Sequence, residues 1–213
     1  MPLQAGIVTV TPLQQNCTLL WDDATKRGAV VDPGGDLNRI EAGIAKVGMT
    51  VEKILLTHGH IDHAAGAAEL KARLGGIRIE GPHEEDKFLL DSLVESGLAF
   101  GMTDARNVTP DRWLNEGDIV TVADATFSIL HCPGHSPGSV AYVNAEQRFA
   151  LVGDVLFRGS IGRTEGLPRT SHSALIRSIK EKLLPLGDEY AFVCGHGPSS
   201  TIGQERRTNP FLV

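Results

Sequence analysis

From residue 58 to residue 63 the chain reads His58-Gly59-His60-Ile61-Asp62-His63, three imidazoles and one carboxylate within six residues. The motif follows directly on the apolar run Lys53-Ile54-Leu55-Leu56-Thr57, so these groups are offered at the end of a predicted strand. Neutral imidazole nitrogen and carboxylate oxygen suit zinc, iron or manganese, whereas structural zinc sites usually draw on thiolates and close at four ligands. The motif contains no cysteine and holds more donors than one ion takes. The chemistry it points to is metal-assisted, with a position left for water or substrate.

The remaining donors stand behind segments of the same kind. Phe127-Ser128-Ile129-Leu130 leads into His131-Cys132-Pro133-Gly134-His135, Phe149-Ala150-Leu151-Val152 into Gly153-Asp154, and Tyr190-Ala191-Phe192-Val193 into Cys194-Gly195-His196. Short buried strands followed by glycine-containing loops are how open α/β sheets place functional groups beyond their strand carboxyl ends. Four strands are therefore expected to aim at one site. Further strands are predicted near Gly6 to Val10, Cys17 to Trp21 and Gly28 to Val31, with β character returning from Asp111 to Leu130.

Helices are predicted between these strands. The first is capped by Asp36, carries Leu37, Ile40, Ile44 and Val47 on one face and stops at Gly48. Others run from about Asp62 to Leu74, stopped by Gly75-Gly76, from Glu84 to Ser96, and from Ser171 to Leu184, ended by Pro185. The helix starting at Asp62 begins inside the histidine motif, where its dipole favours an anionic group. The Glu84 to Ser96 helix either overhangs the site as a lid or packs plainly on the core, the simpler reading. β-rich halves each followed by helices predict two sheets packed between helical layers.

Bulk properties narrow the partners. At 213 residues, 41% apolar and 22% charged, the chain suits one globular domain with a sizeable core. It has no leader-like N-terminus and no stretch approaching the ~20 apolar residues of a membrane span, so it is expected to be cytoplasmic with no membrane partner. Cys17, Cys132 and Cys194 are widely spaced and fit buried thiols in a reducing compartment. A formal net charge of −6 gives no general attraction to nucleic acid. Arg163 and Arg169 lie in a loop containing glycine and proline and are candidates for an anionic small-molecule substrate, whereas Arg177, Lys180 and Lys182 read as the solvated face of a helix.

In order along the chain, His58, His60, Asp62, His63, His135, Asp154 and His196 resemble the ligand series of the metallo-β-lactamase superfamily. Thr57-His58-Gly59-His60, Cys132-Pro133-Gly134-His135-Ser136-Pro137-Gly138-Ser139, Gly162-Arg163 and Gly195-His196-Gly197-Pro198 resemble its glyoxalase II branch, the hydroxyacylglutathione hydrolases. Gln15-Asn16-Cys17, Val31-Asp32-Pro33-Gly34-Gly35, Asp111-Arg112-Trp113-Leu114-Asn115 and Asn209-Pro210-Phe211 resemble the small bacterial single-domain type, so the likeness covers nearly the whole chain. It implies an α/β fold, the αββα sandwich of two mixed sheets between helical layers, as one domain over residues 1–213. The C-terminal helical glutathione-binding domain of full-length glyoxalase II enzymes is not expected, and its substrate contacts are not carried over.

The resemblance further implies a first ion held by His58, His60 and His135, a second held by Asp62, His63 and His196, and Asp154 bridging the two. Physically, seven N/O donors exceed the three protein ligands of a mononuclear catalytic zinc, whereas two ions about 3.5–4 Å apart would use them and share a water. Zinc is the expected metal; the same donors accept iron or manganese, and availability decides. The implied reaction is hydrolysis of a glutathione thioester such as S-D-lactoylglutathione to D-lactate and glutathione. A bridging hydroxide attacks the carbonyl, Asp62 orients the water, and a thiol of pKa near ~8.5 leaves as the anion without a dedicated acid.

Asp32 is expected either to brace a ligand histidine or to make an Asp-Pro-Gly turn. His83, His131 and His172 are not expected to be ligands, although His131 stands close enough to His135 to support it. β-Lactamase activity is disfavoured because Asp154 stands where zinc β-lactamases carry a cysteine or a non-ligand residue, and the RNA-processing nucleases usually carry extra domains. A lactonase, a broader thioesterase and a persulfide dioxygenase using one iron are the alternative enzymes. A metal-dependent binding module without turnover is the non-enzymatic one.

Overall fold

The apolar segments assemble into two mixed sheets in the computed structural model, which describes residues 3–213. The first sheet has the order β1 (Leu3–Val10), β2 (Gln15–Asp22), β3 (Arg27–Val31), β4 (Thr50–Leu55) and β5 (Arg78–Glu80). β1 to β3 are antiparallel, and β3, β4 and β5 are parallel, joined by helical crossovers as parallel neighbours require. The second sheet holds β6 (Ile119–Val122), β7 (Ala125–His131), β8 (Val140–Asn144) and β9 (Phe149–Gly153) in antiparallel succession. A short hairpin of β10 (Leu156–Phe157) and β11 (Ser160–Ile161) follows. β12 (Ala191–Cys194) then returns parallel to β9, with β13 (Ser200–Thr201) antiparallel at the edge.

The helices are α1 (Leu37–Val47), α2 (Ile61–Ala64), α3 (Ala67–Arg73), α4 (Lys87–Leu90), α5 (Leu93–Phe100), α6 (His172–Ser178) and α7 (Ile202–Thr208). Alternation along the strands divides the apolar residues among three cores. Leu20, Val31 and Leu55 of the first sheet meet Phe127, Tyr142, Leu151 and Val193 of the second. Their neighbours Leu19, Val30 and Ile54 turn outward onto Ile40 and Leu70 of α1 and α3. Val143, Val152 and Phe192 turn the other way, onto Leu175, Ile179 and Ile202. Because both faces of the central strands are covered, segments such as Val140–Asn144 are buried at every position. This is the αββα arrangement expected from the sequence.

Local structure departs from the expected helices in four places. Asp36 stands at the N-cap of α1 in a left-handed conformation (φ 48°) and does not cap; its Oδ2 accepts the Thr11 N–H at 2.8 Å instead. The expected helix from Asp62 to Leu74 is two helices, α2 and α3. They part where the Asp32–Gly35 loop crosses: Gly66 N donates to Pro33 O at 3.0 Å, and a Cβ at 66 would stand 2.5 Å from that carbonyl.

The expected Glu84 to Ser96 helix is a 3-10 turn at Glu84–Asp86 followed by α4 and α5, with Asp86, Leu90 and Leu93 buried. The helix capped by Ser171, whose Oγ accepts Ala174 N–H at 3.3 Å, widens to i→i+5 bonding over Ile179–Leu183 and tightens to a 3-10 turn at Leu184–Leu186. α7 is not among the expected helices, since its run Gly203-Gln204-Glu205-Arg206-Arg207 carries no apolar stripe. Among the described residues, no helix is long and apolar enough to cross a membrane.

Candidate metal centre

The seven donors named from the sequence converge at one edge shared by the two sheets. His58, His60, Asp62 and His63 follow β4, His135 lies in the loop after β7, Asp154 follows β9, and His196 follows β12. They fall into two clusters whose donor atoms lie within reach of one ion each: His58, His60 and His135, and Asp62, His63 and His196. Asp154 faces both. Its Oδ2 is 3.4 Å from His135 Nε2 and 3.5 Å from His196 Nε2, and its Oδ1 is 3.3 Å from His63 Nε2. Asp62 Oδ2 is 3.1 Å from His196 Nε2 and 3.8 Å from His63 Nε2. Ligand atoms bound at about 2.0–2.1 Å to a tetrahedral ion lie about 3.3 Å apart, the scale of most of these separations.

The histidine tautomers follow from hydrogen bonds outside the cluster. Thr57 Oγ1 donates to Asp32 Oδ2 at 2.6 Å, so at 3.0 Å it can only accept from His58 Nδ1–H. His63 Nδ1–H donates to Asp32 Oδ2 at 2.9 Å, and His135 Nδ1–H donates to the Arg163 carbonyl at 2.9 Å. In the neutral form of each ring the proton therefore sits on Nδ1 and Nε2 is the lone-pair nitrogen turned inward, the arrangement that binds a metal. Asp32 therefore fulfils both expectations at once: it turns the chain in a left-handed conformation (φ 52°) and braces His63, and through Thr57 it also braces His58.

The test of fit to metal ions lies in what these inward atoms lack. Nε2 of His58 and His63 and Oδ1 of Asp154 are buried with no hydrogen-bond partner, while His60 turns Nδ1 toward His135 Nε2 at 2.9 Å. Buried polar atoms are normally paired, so three orphans at one point call for a partner that accepts lone pairs, which a divalent cation does. Protonation does not fill that role in the first cluster. Burial, then the neighbouring imidazoles, hold His58 well below the ordinary histidine range and bring His60 down to about 3, and burial lowers His135 as well.

The second cluster is the anionic one. Burial opposes protonation of His63 and His196, yet the facing carboxylates outweigh it and raise both. Burial likewise pushes Asp62 and Asp154 up, but the imidazoles, His63 foremost, hold both below the ordinary carboxylate range. The two clusters thus differ electrically: three neutral imidazoles in one, two imidazoles and a carboxylate in the other.

The loop bearing His196 is pinned by Gln15-Asn16. Asn16 N donates to Gly195 O at 2.7 Å, its Nδ2 donates to Cys194 O and Gly197 O at 3.1 and 2.8 Å, and Gln15 bridges to His196 through the backbone. Gly195 admits no side chain, since a Cβ there would lie 2.0 Å from Asp154 Oδ1 and 2.5 Å from His63 Cε1.

Of the two candidate arginines, Arg163 is exposed and its Nε donates to Glu165 O at 2.7 Å, so the contact with the donor cluster comes from its backbone carbonyl, not its guanidinium. Arg169 is exposed in a left-handed conformation (φ 56°), with its guanidinium 4.2 Å from the Phe88 ring centre. The loop before α6 thereby meets α4.

His83 and His131 stack 4.1 Å apart at 14° beside Glu85, but nearly parallel rings do not aim their in-plane lone pairs at one ion, and His131 Nε2–H donates to Pro137 O at 2.8 Å. His172 is exposed at the start of α6. A cleft of about 880 Å³ lies beside α2 and α3, lined by residues including Thr11, Gly34, Arg39, Gly66 and Arg106 and by none of the seven donors.

Three supporting groups have no signature in the sequence. Thr57 orients His58, Asp86 joins two donor loops, and the buried Glu205 of α7 accepts from Gly159 N at 2.7 Å and Asn209 Nδ2 at 2.9 Å, holding the β10–β11 hairpin. That hairpin sets Phe157 edge-on to His196 at 6.1 Å. Short polar residues in loops carry no periodic signal.

An αββα fold with paired His/Asp clusters at one sheet edge defines a metal-binding hydrolase scaffold. Residues 10–196 match the metallo-beta-lactamase superfamily, and the chain belongs to that superfamily. Hydroxyacylglutathione hydrolase GloC of Haemophilus influenzae is 47% identical over 207 residues, covering 97% of this chain and 96% of its own. Among solved structures, TTHA1623 in a di-iron-bound form superposes with a TM-score of 0.85 at 37% identity, over 97% of this chain and 100% of that one. BLEG-1 B3 metallo-beta-lactamase superposes with a TM-score of 0.86 at 34% identity, over 99% of each.

Proposed function

We propose that the protein hydrolyses a glutathione thioester, such as S-D-lactoylglutathione, with two divalent ions. The observation that carries the reading is Asp154, whose two carboxylate oxygens face donors of both clusters. His58, His60 and His135 would hold one ion, Asp62, His63 and His196 the other, and Asp154 both. When bound, such a pair acidifies a shared water and polarises an acyl carbonyl. The likeness to a hydroxyacylglutathione hydrolase along almost the whole chain supports the substrate class, and that to a di-iron protein supports iron beside zinc and manganese.

The chain's own groups divide the remaining work. Asp32, Thr57 and the Arg163 carbonyl hold the Nδ1 protons of His58, His63 and His135 and so aim three Nε2 atoms inward. Asp62 orients the attacking water as an acceptor. Neither Asp62 nor Asp154 can serve as a general acid, because both are held ionised. That suits a thiolate leaving group, with pKa about 8.5 for a free thiol, and not an amine. Arg163 and Arg169 supply positive charge at the rim for the carboxylates of a glutathione moiety.

The test is thiol release from S-D-lactoylglutathione by protein loaded separately with zinc, iron and manganese. Turnover with any of them supports the thioesterase reading. No thiol release, combined with opening of a lactone or oxygen uptake with glutathione persulfide, would replace it. For Arg163→Ala we expect KM to rise several-fold with a smaller change in kcat, because the carbonyl that orients His135 stays in place. An unchanged KM would remove the Arg163 side chain from substrate binding.

A further inference from the structure

Asp86 is completely buried in the turn before α4, and all of its partners are donors on the loops of the first cluster. Oδ2 accepts from Gly59 N at 2.8 Å and from Ser136 Oγ at 2.7 Å, and Oδ1 accepts from Gly138 N at 2.6 Å. Gly59 lies between His58 and His60, and Ser136 follows His135. One carboxylate therefore fastens the loop after β4, in the first sheet, to the loop after β7, in the second.

The fit has no slack. A Cβ at Gly59 would stand 3.1 Å from Asp86 O and one at Gly138 2.6 Å from its carboxyl carbon, and Ser139 Oγ braces Ser136 Oγ at 2.7 Å. Across this clamp His60 Nδ1 and His135 Nε2 stand 2.9 Å apart. Moving either loop away would orphan buried N–H and O–H groups, so the carboxylate resists any change in that spacing. The second cluster has different supports, Asp32 at His63 and Asn16 at the His196 loop.

We propose that Asp86 is a positioning residue that sets the spacing of His58 and His60 against His135 and so governs the affinity of that cluster for a divalent ion independently of the second cluster. The inference rests on the metal-binding reading given above. It is tested by calorimetric titration of metal-free protein with zinc, using His196→Ala to isolate the first cluster and His60→Ala to isolate the second. In the first background, Asp86→Asn, which sets an N–H₂ against a donor, should weaken zinc about 10- to 100-fold, the usual cost of losing such outer support. In the second background it should leave zinc affinity unchanged. Ser136→Ala, which removes one of the three donors, should give a smaller loss in the same direction, and it decides the matter if Asp86→Asn does not fold.

Wild-type affinity in the first background, or equal losses in both, would overturn the inference and leave Asp86 a general structural residue. Absence of zinc binding by the wild-type chain is a different result, which would remove the metal-binding reading and the inference with it.

Discussion

Asp154→Ala is expected to reduce the protein to one bound ion or fewer and to lower kcat/KM on thioester substrate roughly a thousandfold or more, the scale on which groups that stabilise transition-state charge act. The carboxylate faces nitrogen donors of both clusters: Oδ2 those of His135 and His196, Oδ1 that of His63. Its removal takes a negative charge from between two sites meant for cations and leaves His63 Nε2 without its nearest carboxylate. Solvent has little room to replace it, because the group is buried and Gly195 packs directly against Oδ1. Metal content by elemental analysis, with kinetics on the same sample, checks the expectation. Two ions and full rate in the variant would rule out the bridge.

Asp32→Asn should have the second-largest effect, through proton positions and not through lost volume. Asparagine tolerates the left-handed backbone at this turn, so the fold should survive. If its carbonyl keeps the Thr57 N–H, its amide N–H₂ faces His63 Nδ1 and Thr57 Oγ1, where a carboxylate oxygen accepted from both. His63 must then accept at Nδ1 and carry its proton on Nε2, the atom turned toward Asp154. Thr57, no longer donating to residue 32, can donate to His58 Nδ1 and drive that proton to Nε2 as well. Both clusters lose a donor atom. We expect metal affinity to fall about 10- to 100-fold at each, with a stability cost of about 1–3 kcal/mol for each group left unpaired.

The checks are zinc titration and denaturant unfolding of the metal-free form. Unaltered zinc affinity with lowered stability would show that Asp32 serves the turn alone. This outcome separates Asp32 from Asp154, whose loss should weaken metal binding without rearranging any tautomer.

Much of this protein was readable in its residues. Short apolar runs such as Phe149-Ala150-Leu151-Val152, followed by Gly153-Asp154, announced strands whose loops carry donors, whereas the strand over Val140–Asn144 was not among those expected. The order and types of His58, His60, Asp62, His63, His135, Asp154 and His196 pointed to a superfamily to which the chain belongs. Helix limits were less legible. Those from Asp62 onward and from Glu84 onward are broken where another segment crosses or a carboxylate turns inward, at Gly66 and Asp86. α7 is held by Ile202 and the buried carboxylate of Glu205, not by an apolar stripe.

What the sequence by itself determined was local: which segments repeat every second residue, which donors exist, and in what order they come. Tertiary structure alone decided which nitrogen of His58, His63 and His135 faces inward, since Asp32 reaches Thr57 and His63 across 25 and 31 residues and Arg163 reaches His135 across 28. It also decided that Asp86, one acid in a run of three, spans 50 and 52 residues to join Ser136 and Gly138. A buried carboxylate takes whatever donors the packed chain sets within about 3 Å of it, and those donors are chosen by the meeting of two sheets, which no local pattern encodes.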